Sequence, residues 1–291
     1  MKMRTKMTTG DKGSQIRMKD IIRTQKNKYA ILLVSVFFLP VFFAGCGKET
    51  GGEAGNARAG EMNEGQIQES VTETEEEVRI VSESAKDTVV DIKALQSENS
   101  DIFAWLYIPD TDIDAPVLQS AESDDYYKNH NAYREKDPEG ALYTELANLK
   151  DMCDFNTVIH GKTTEDGKKG LFSDLYRFAD PDFFKTHENV YLYLDGNLLT
   201  YTVIAAYERE NTSLIRSYDF TYGSGCEQFL EDMYGTREMG KNLREGWEEI
   251  TPYHFLLTMT TQQGTDPEKQ FVVIAVLVGD AAGEIDRVVE W

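Results

Sequence analysis

The amino-acid sequence predicts a mainly β domain, a mixed β-barrel with a few inserted helices that is preceded by an N-terminal helix. Short segments rich in β-branched and aliphatic residues recur between turn signals. Asp195, Gly196 and Asn197 separate two such segments, which is a strong hairpin signal. Only a few segments show the apolar spacing of a helix. Many short strands with few helices are typical of a barrel.

The first 45 residues are predicted to form a signal peptide. Residues 2–28 are basic and polar, residues 29–44 are almost wholly apolar, and small residues precede Cys46. The sequence FAGC at residues 43–46 resembles a bacterial lipobox, which implies cleavage after Gly45 and a diacylglyceryl group on the Cys46 sulfur. Met18 is an alternative start that gives a more ordinary length. The other interpretation is a signal anchor, although a spanning helix needs roughly 20 apolar residues and this run is shorter.

Residues 46–87 follow as a lipidated cysteine and an acidic tether. This stretch is rich in Gly, Glu, Ser and Thr and poor in aromatic residues. Such a composition buries too little apolar area to offset the entropy of ordering the chain. We therefore expect a flexible connection between the membrane and the folded domain.

The folded domain is expected over residues 88–280, with a tail at 281–291. Val90, Ile92 and Leu95 recur at near-helical spacing and predict a helix over 88–98. Alternating or β-rich segments predict the strands, and Pro181 marks the first turn of a helix. In chain order the expected elements are strands 103–108, 115–119, 140–144 and 156–160, helices 171–178 and 181–185, strands 190–194 and 198–208, helix 225–234, and strands 254–261 and 270–278.

Charge and composition exclude several classes of function. The formal net charge is -21 at pH 7, which argues against nucleic-acid binding because that activity needs a basic surface. No His or Cys spacing predicts a metal site, and no cofactor is indicated. Besides Cys46 there are two cysteines, Cys153 and Cys226, and their spacing leaves a disulfide between them open.

Several motifs resemble those of the sortase family, most closely its class B branch. The sequences NTVIHGK at 156–162, LLTMTTQ at 256–262 and QFVVIA at 270–275 are similar to the catalytic strands of sortases. Further matches occur in the same order along the chain. They are NSDIFAWLYIP at 99–109, IDAPV at 113–117, YYKNH at 126–130, GLFSDL at 170–175, DFF at 182–184 and LTY at 199–201. The resemblance implies the eight-stranded sortase barrel.

The same resemblance implies that the usual catalytic groups are replaced. Sortases carry a His, a Cys and an Arg where this chain has Lys162, Gln262 and Gln270. A glutamine cannot form a thioester, and an uncharged amide is a poor substitute for an arginine that stabilises an oxyanion. An ordinary lysine has a pKa near 10.4 and is a poor base at neutral pH. We therefore expect no catalytic residues for sortase chemistry.

Weaker substitutes remain open as alternatives. His160 lies two positions before Lys162, but it matches a Tyr of the family and is expected to be a partly buried strand residue. Thr260 shares strand parity with Gln262, so a Thr260–Lys162 pair is a conceivable nucleophile and base. Cys153 and Cys226 are expected outside the catalytic strands. Lys269 is expected to point away from Gln270 because neighbouring strand residues face opposite sides.

Two functions from different classes follow. The first is a catalytically inactive, sortase-like lipoprotein that binds a sorting-signal peptide, a cell-wall component or a true sortase. The alternative is an active sortase-type transpeptidase or cysteine peptidase that attaches proteins to the cell wall through unidentified residues. Both imply an extracytoplasmic location at the membrane of a Gram-positive bacterium, with the membrane reached through the lipid on Cys46.

Overall fold

The computed structural model describes residues 90–163, 169–262 and 266–291, with the side chain of Gln262 excepted. These residues belong to one compact unit. The predicted signal peptide, the alternative start at Met18, the lipidation site at Cys46 and the acidic tether all lie outside the described residues. Among the described helices, none combines the length and the apolar character that a membrane span requires.

A short helix leads into the barrel. Helix α1 covers Ile92–Glu98, and Asp91 caps its start by accepting a hydrogen bond of 2.9 Å from the Ala94 N–H. Ile92 and Leu95 are buried, as their spacing predicted. The described helix begins later than the predicted 88–98 because the cap residue is Asp91, where the chain is still non-helical.

Within the described residues, nine strands form one sheet. They are β1 Ile102–Tyr107, β2 Asp114–Leu118, β3 Leu142–Tyr143, β4 Asn156–His160, β5 Asn189–Leu194, β6 Asn197–Glu210, β7 Asn242–Leu243, β8 Leu256–Gln262 and β9 Lys269–Asp280. The strand order is β5-β1-β2-β3-β4-β8-β9-β6-β7, and an additional pairing of β5 with β6 closes eight strands into a barrel. The predicted mainly β barrel is confirmed, and β7 is an added strand on the outside of β6.

Helical segments occupy the connections. They are a 3₁₀ helix at Tyr126–Lys128, a second at Ser173–Ala179, α2 at Pro181–Thr186, α3 at Leu214–Ser217 and α4 at Gly223–Gly235. Asp180 caps α2 by accepting from the backbone N–H groups of Asp182 and Phe183. The segment predicted as a helix over 171–178 is 3₁₀ instead. The short α3 and β7 were not predicted, because elements of a few residues carry no periodic signal.

Two apolar clusters lie on opposite faces of the barrel wall. Residues that alternate along the strands, such as Leu257, Met259 and Val273, fill the barrel interior. Their neighbours Leu256, Val272 and Ile274 pack outward against α4. Because the two faces alternate along each strand, Thr260 and Gln270 lie on the outer face with this second cluster.

The C-terminal residues 281–291 pack on the outer layer. Val289 is buried, and Glu290 forms a parallel bridge with Tyr222 at the start of α4. Arg287 donates to the Pro252 carbonyl through Nη2. The predicted tail is thus in contact with the domain that precedes it.

Candidate functional site

The candidate site lies where three strands end together. Strand β4 runs parallel to β8, with His160 beside Thr260, and β8 runs antiparallel to β9, with Gln262 beside Gln270. The Gly161 N–H donates to the Thr260 carbonyl at 3.1 Å and extends this pairing by one residue. The topology therefore brings distant segments of the chain to one edge of the barrel.

A cavity of about 210 Å³ opens at this edge. Four of the residues named from the sequence line it, namely His160, Lys162, Thr260 and Gln270. Gln262 takes its place in the β8–β9 register, but its side chain lies outside the described part of the structure. Most other lining residues come from the connection after β2, from the β3 segment and from the segment between β6 and α3. They include Lys128, Tyr143, Glu145, Thr212 and Ser213.

Gln270 is held by three hydrogen bonds. Its Oε1 accepts from Thr260 Oγ1 at 2.7 Å, while its Nε2 donates to the carbonyls of Glu210 at 3.0 Å and Thr212 at 2.8 Å. The side chain is only 6% exposed. Since a glutamine amide has two N–H donors, both are used within the protein. Gln270 therefore fixes the segment after β6 as one wall of the cavity.

Arg209 supports the same wall from the other side. It lies opposite Gln270 in the β6–β9 register, and its guanidinium donates to the Thr212 carbonyl at 3.0 Å and to Thr212 Oγ1 at 3.2 Å. The Thr212 carbonyl thus accepts from both Arg209 and Gln270. The sequence did not single out Arg209, because only the strand pairing shows that it faces Gln270.

Lys162 is directed toward the loop after the first 3₁₀ helix. Its Nζ donates to Asn129 Oδ1 at 3.1 Å and to the Pro138 carbonyl at 2.7 Å. Thr260, the conceivable nucleophile for a Lys162 base, donates its hydroxyl proton to Gln270 Oε1. Each member of that pair therefore has another partner in this structure.

His160 forms a cluster with two residues of the β3 segment. Its Nε2 lies 3.1 Å from Glu145 Oε1, and its ring stacks on Tyr143 with the ring centroids 5.1 Å apart. The contact with His160 lowers the pKa of Glu145 below its ordinary value, although burial acts in the opposite direction. Burial raises the pKa of Tyr143. Glu145 could not be recognised as a site residue from the sequence, because only the pairing of β3 with β4 brings it to His160.

The described thiols lie elsewhere. Cys153 and Cys226 are both free. Cys226 is a buried residue of α4 itself, where its Sγ donates to the Phe220 carbonyl at 3.6 Å, and Cys153 lines a different cavity. Burial raises the pKa of both thiols, which reduces their thiolate fraction. Neither cysteine is among the residues that line the His160 cavity.

Two further expectations concern the direction of the Lys269 side chain and metal binding. Lys269 forms an ion pair with Glu238, with Nζ and Oε1 3.7 Å apart, and does not line the His160 cavity. Within the described residues, no group of three or more His, Cys, Asp or Glu side chains is placed to hold a metal ion.

Comparison with known proteins finds similarity to sortase B proteins. No family model matches the chain. Over 143 residues it is 34% identical to sortase B of Listeria monocytogenes, a match that covers 48% of this chain and 56% of that protein. The chain therefore spans little more than half the length of this curated relative.

Solved structures show the same barrel. A mutant form of Clostridium perfringens sortase B matches with a TM-score of 0.57 and 22% identity, over 68% of this chain and 90% of that one. A Staphylococcus aureus sortase B–substrate complex matches with a TM-score of 0.55 and 20% identity, over 72% of this chain and 96% of that one. The fold is that of sortases, and the similarities support a class B-like relationship.

Proposed function

We propose that this chain is an extracytoplasmic, sortase-like lipoprotein that binds an extended peptide at the His160 cavity without catalysing sortase transpeptidation. The observation that carries the proposal is the hydrogen bonding of Gln270, which stands where the resemblance places the arginine. Both of its N–H groups bind backbone carbonyls, so neither is directed at a substrate oxyanion.

The remaining chemistry of the site agrees with this proposal. Acyl transfer through a thioester needs a thiolate at the reaction centre, and the two described cysteines do not line the cavity. Lys162 replaces the expected histidine and donates to Asn129 and Pro138. Catalytic groups of this kind act as a unit, so the loss of several removes nearly all of the rate enhancement.

The shape of the site supports peptide binding. The His160 cavity shares Tyr143, Glu145 and Ser213 with a neighbouring cavity of about 610 Å³, so the two cavities adjoin. We infer that together they form a groove, which would hold an extended peptide through backbone hydrogen bonds and side-chain pockets. One neighbour in structure is described as a sortase B–substrate complex, which supports a sorting-signal peptide as the ligand class. A cell-wall component or a true sortase are the other partners that the proposal admits.

We expect the predicted anchor to hold this groove outside the cell. A lipid on Cys46 and an acidic tether would hold the barrel at the membrane surface. The similar proteins come from Listeria, Clostridium and Staphylococcus, which supports a Gram-positive cell surface as the location.

A second candidate function is an active sortase-type transpeptidase. The 34% identity to Listeria sortase B favours it. It requires a nucleophile at a position that the motif resemblance does not identify, and among the described residues Cys153 and Cys226 are the candidates with a thiol. An enzyme of this type would lose its activity when the responsible thiol is replaced.

One experiment separates the two functions. The full chain in detergent is mixed with fluorogenic sorting-signal peptides and an amine, and both peptide binding and cleavage are followed. We expect binding without cleavage, and we expect His160→Gln to weaken binding while His187→Gln, outside the groove, leaves it unchanged. Cleavage that disappears in Cys153→Ala or Cys226→Ala would establish the transpeptidase instead. Absence of binding to every peptide would exclude the peptide-binding proposal.

A further inference from the structure

A separate cavity of about 540 Å³ is lined in part by Ile215 and Arg216 of α3. We call it the Asn156 cavity, because Asn156 at the start of β4 lines it together with the α3–α4 connection and Arg287 of the C-terminal segment. It shares no residue with the His160 cavity. Its volume is in the range of small-molecule sites, which are typically about 300–1,000 Å³.

An unpartnered amide borders this cavity. Asn156 is fully buried; its Oδ1 accepts from Thr258 Oγ1 at 2.8 Å, and its backbone carbonyl accepts from Asn148 Nδ2 at 3.0 Å. Its Nδ2 has no hydrogen-bond partner among the described residues. Buried donors in native proteins nearly always have an acceptor, so this amide indicates that a ligand or water oxygen belongs beside it.

The charges around the cavity are balanced. Arg216 and Arg287 contribute two cations, and Asp154 and Asp219 contribute two carboxylates. Arg287 has a buried Nε without a hydrogen-bond partner among the described atoms, although its Nη2 donates to Pro252. Asp154 already accepts from Asn148 Nδ2 and from the Leu149 N–H, whereas the Asp219 carboxylate accepts from the Thr221 N–H, so Asp219 is the more available carboxylate. A simple anion or cation would meet a charge of its own sign here.

Aromatic rings form the apolar part of the lining. Phe155 and Phe220 have ring centroids 5.5 Å apart, and Phe220 stacks on Tyr218 at 5.8 Å. All three side chains line the Asn156 cavity. Such a surface favours an apolar or aromatic group of the ligand.

We propose that the Asn156 cavity binds a free α-amino acid with an apolar side chain. The carboxylate would accept from Asn156 Nδ2 and the Arg287 guanidinium, and the ammonium group would pair with Asp219. The side chain would pack on the rings of Phe155 and Phe220. This proposal does not rest on peptide binding at the His160 cavity, although Arg216 lines both the Asn156 cavity and the 610 Å³ cavity beside the His160 cavity.

Calorimetry with L-phenylalanine on the full chain carrying Cys46→Ser tests the proposal. Because both charged ends of the ligand have partners, 3-phenylpropionate and phenethylamine should each bind at least about tenfold more weakly than L-phenylalanine. Cys153 lines the cavity and is partly exposed, whereas Cys226 is buried. L-Phenylalanine should therefore slow the labelling of Cys153 by a thiol-reactive probe.

An exposed carboxylate supplies the variant. Asp219→Asn replaces an exposed side chain of the cavity, and Glu227→Gln, an exposed carboxylate outside it, is the matched control. We expect Asp219→Asn to weaken binding about tenfold, the usual scale of one charged contact, and the control to leave it unchanged. No binding at about 10 mM ligand, equal binding of the three compounds, or unchanged labelling of Cys153 would each overturn the proposal.

Discussion

Thr260 and Gln270 are joined by a hydrogen bond of 2.7 Å that links β8 to β9 at the base of the candidate site. The same glutamine amide continues to the Glu210 and Thr212 carbonyls at the end of β6. One side chain thus connects three segments of the chain. This arrangement explains why a glutamine is suited to this position even though it performs none of the chemistry expected of an arginine there.

Replacing Gln270 with alanine should destabilise the domain. The change leaves the buried Thr260 hydroxyl and two backbone carbonyls without this partner, and we expect a loss of about 1–3 kcal/mol in the free energy of unfolding. Lys269→Ala is the matched control, because its ion pair with Glu238 is partly exposed to solvent, with Nζ and Oε1 3.7 Å apart, and is worth less than about 1 kcal/mol. Urea unfolding of both variants measures the difference. Equal losses would show that the Gln270 contacts contribute little.

Glu145→Gln should change the acid side of the stability profile. The contact with His160 lowers the pKa of Glu145 in the folded state, so the unfolded chain binds this proton more readily. The stabilisation from the carboxylate is therefore present above its unfolded pKa of about 4.3 and is lost as the pH falls through the lower folded value. The variant should flatten the fall in stability over that pH window.

Glu227→Gln is the matched control for Glu145→Gln, because Glu227 is an exposed carboxylate on α4. Urea unfolding of the two variants and the parent protein across the acid range supplies the slopes. A Glu145→Gln profile that runs parallel to the parent would mean that the contact with His160 is not coupled to folding.

Gly161→Ala should be poorly tolerated. A Cβ at this position would lie 2.6 Å from a ring carbon of Phe172 and 2.7 Å from a methyl carbon of Leu142, so buried side chains must shift. We expect a loss of about 1–3 kcal/mol through overpacking. Gly235→Ala at the end of α4 meets no atom within 4 Å and should be neutral or slightly stabilising. Thermal unfolding compares the two, and similar melting temperatures would contradict the packing argument.

Introducing the His, Cys and Arg that sortases carry at these three positions should test whether the groove still accepts a sorting-signal peptide. We expect the combined variant Lys162→His, Gln262→Cys and Gln270→Arg to form a small amount of thioester with a sorting-signal peptide, detected by mass spectrometry. The rate should remain low, because the arginine must displace the contacts of Gln270 with Thr212 and Glu210. The single change Gln262→Cys is the control. Complete absence of thioester would indicate that the groove no longer accepts such a peptide.

The membrane anchor has its own test. Cells that express the chain are fed a clickable fatty acid, and we expect label on the parent protein and none on Cys46→Ser. Cys153→Ala is the matched control and should keep the label. An unlabelled parent protein, or label retained in Cys46→Ser, would replace the lipoprotein hypothesis with a signal anchor or another form of attachment.

Much of the fold was predictable because it depends on local patterns. The β5–β6 hairpin turns at Asp195 and Gly196 as predicted, because turn residues and alternation act over a few positions. The motifs that resemble the catalytic strands of sortases also located β4, β8 and β9 correctly. The 3₁₀ form of residues 173–179 and the short α3 were missed, because tertiary contacts rather than local spacing determine them.

The candidate site was only partly predictable. The sequence identified His160, Lys162, Thr260 and Gln270, and the structure brings all four to one cavity. It did not identify Glu145, which reaches His160 through pairing between β3 and β4. The hydrogen-bond partners of a side chain depend on register and loop path, and a linear pattern contains neither.

The sequence by itself determined which residue types stand on the strands of this barrel and where those strands turn, because alternation and turn chemistry are properties of neighbouring positions. The tertiary structure alone decided what those residues touch. Closure of the barrel brought Gln270 against Thr212, directed Lys162 to Asn129, and left the Nδ2 group of Asn156 at a cavity without a described partner. These contacts join residues far apart in the chain, so they exist only once the sheet has closed.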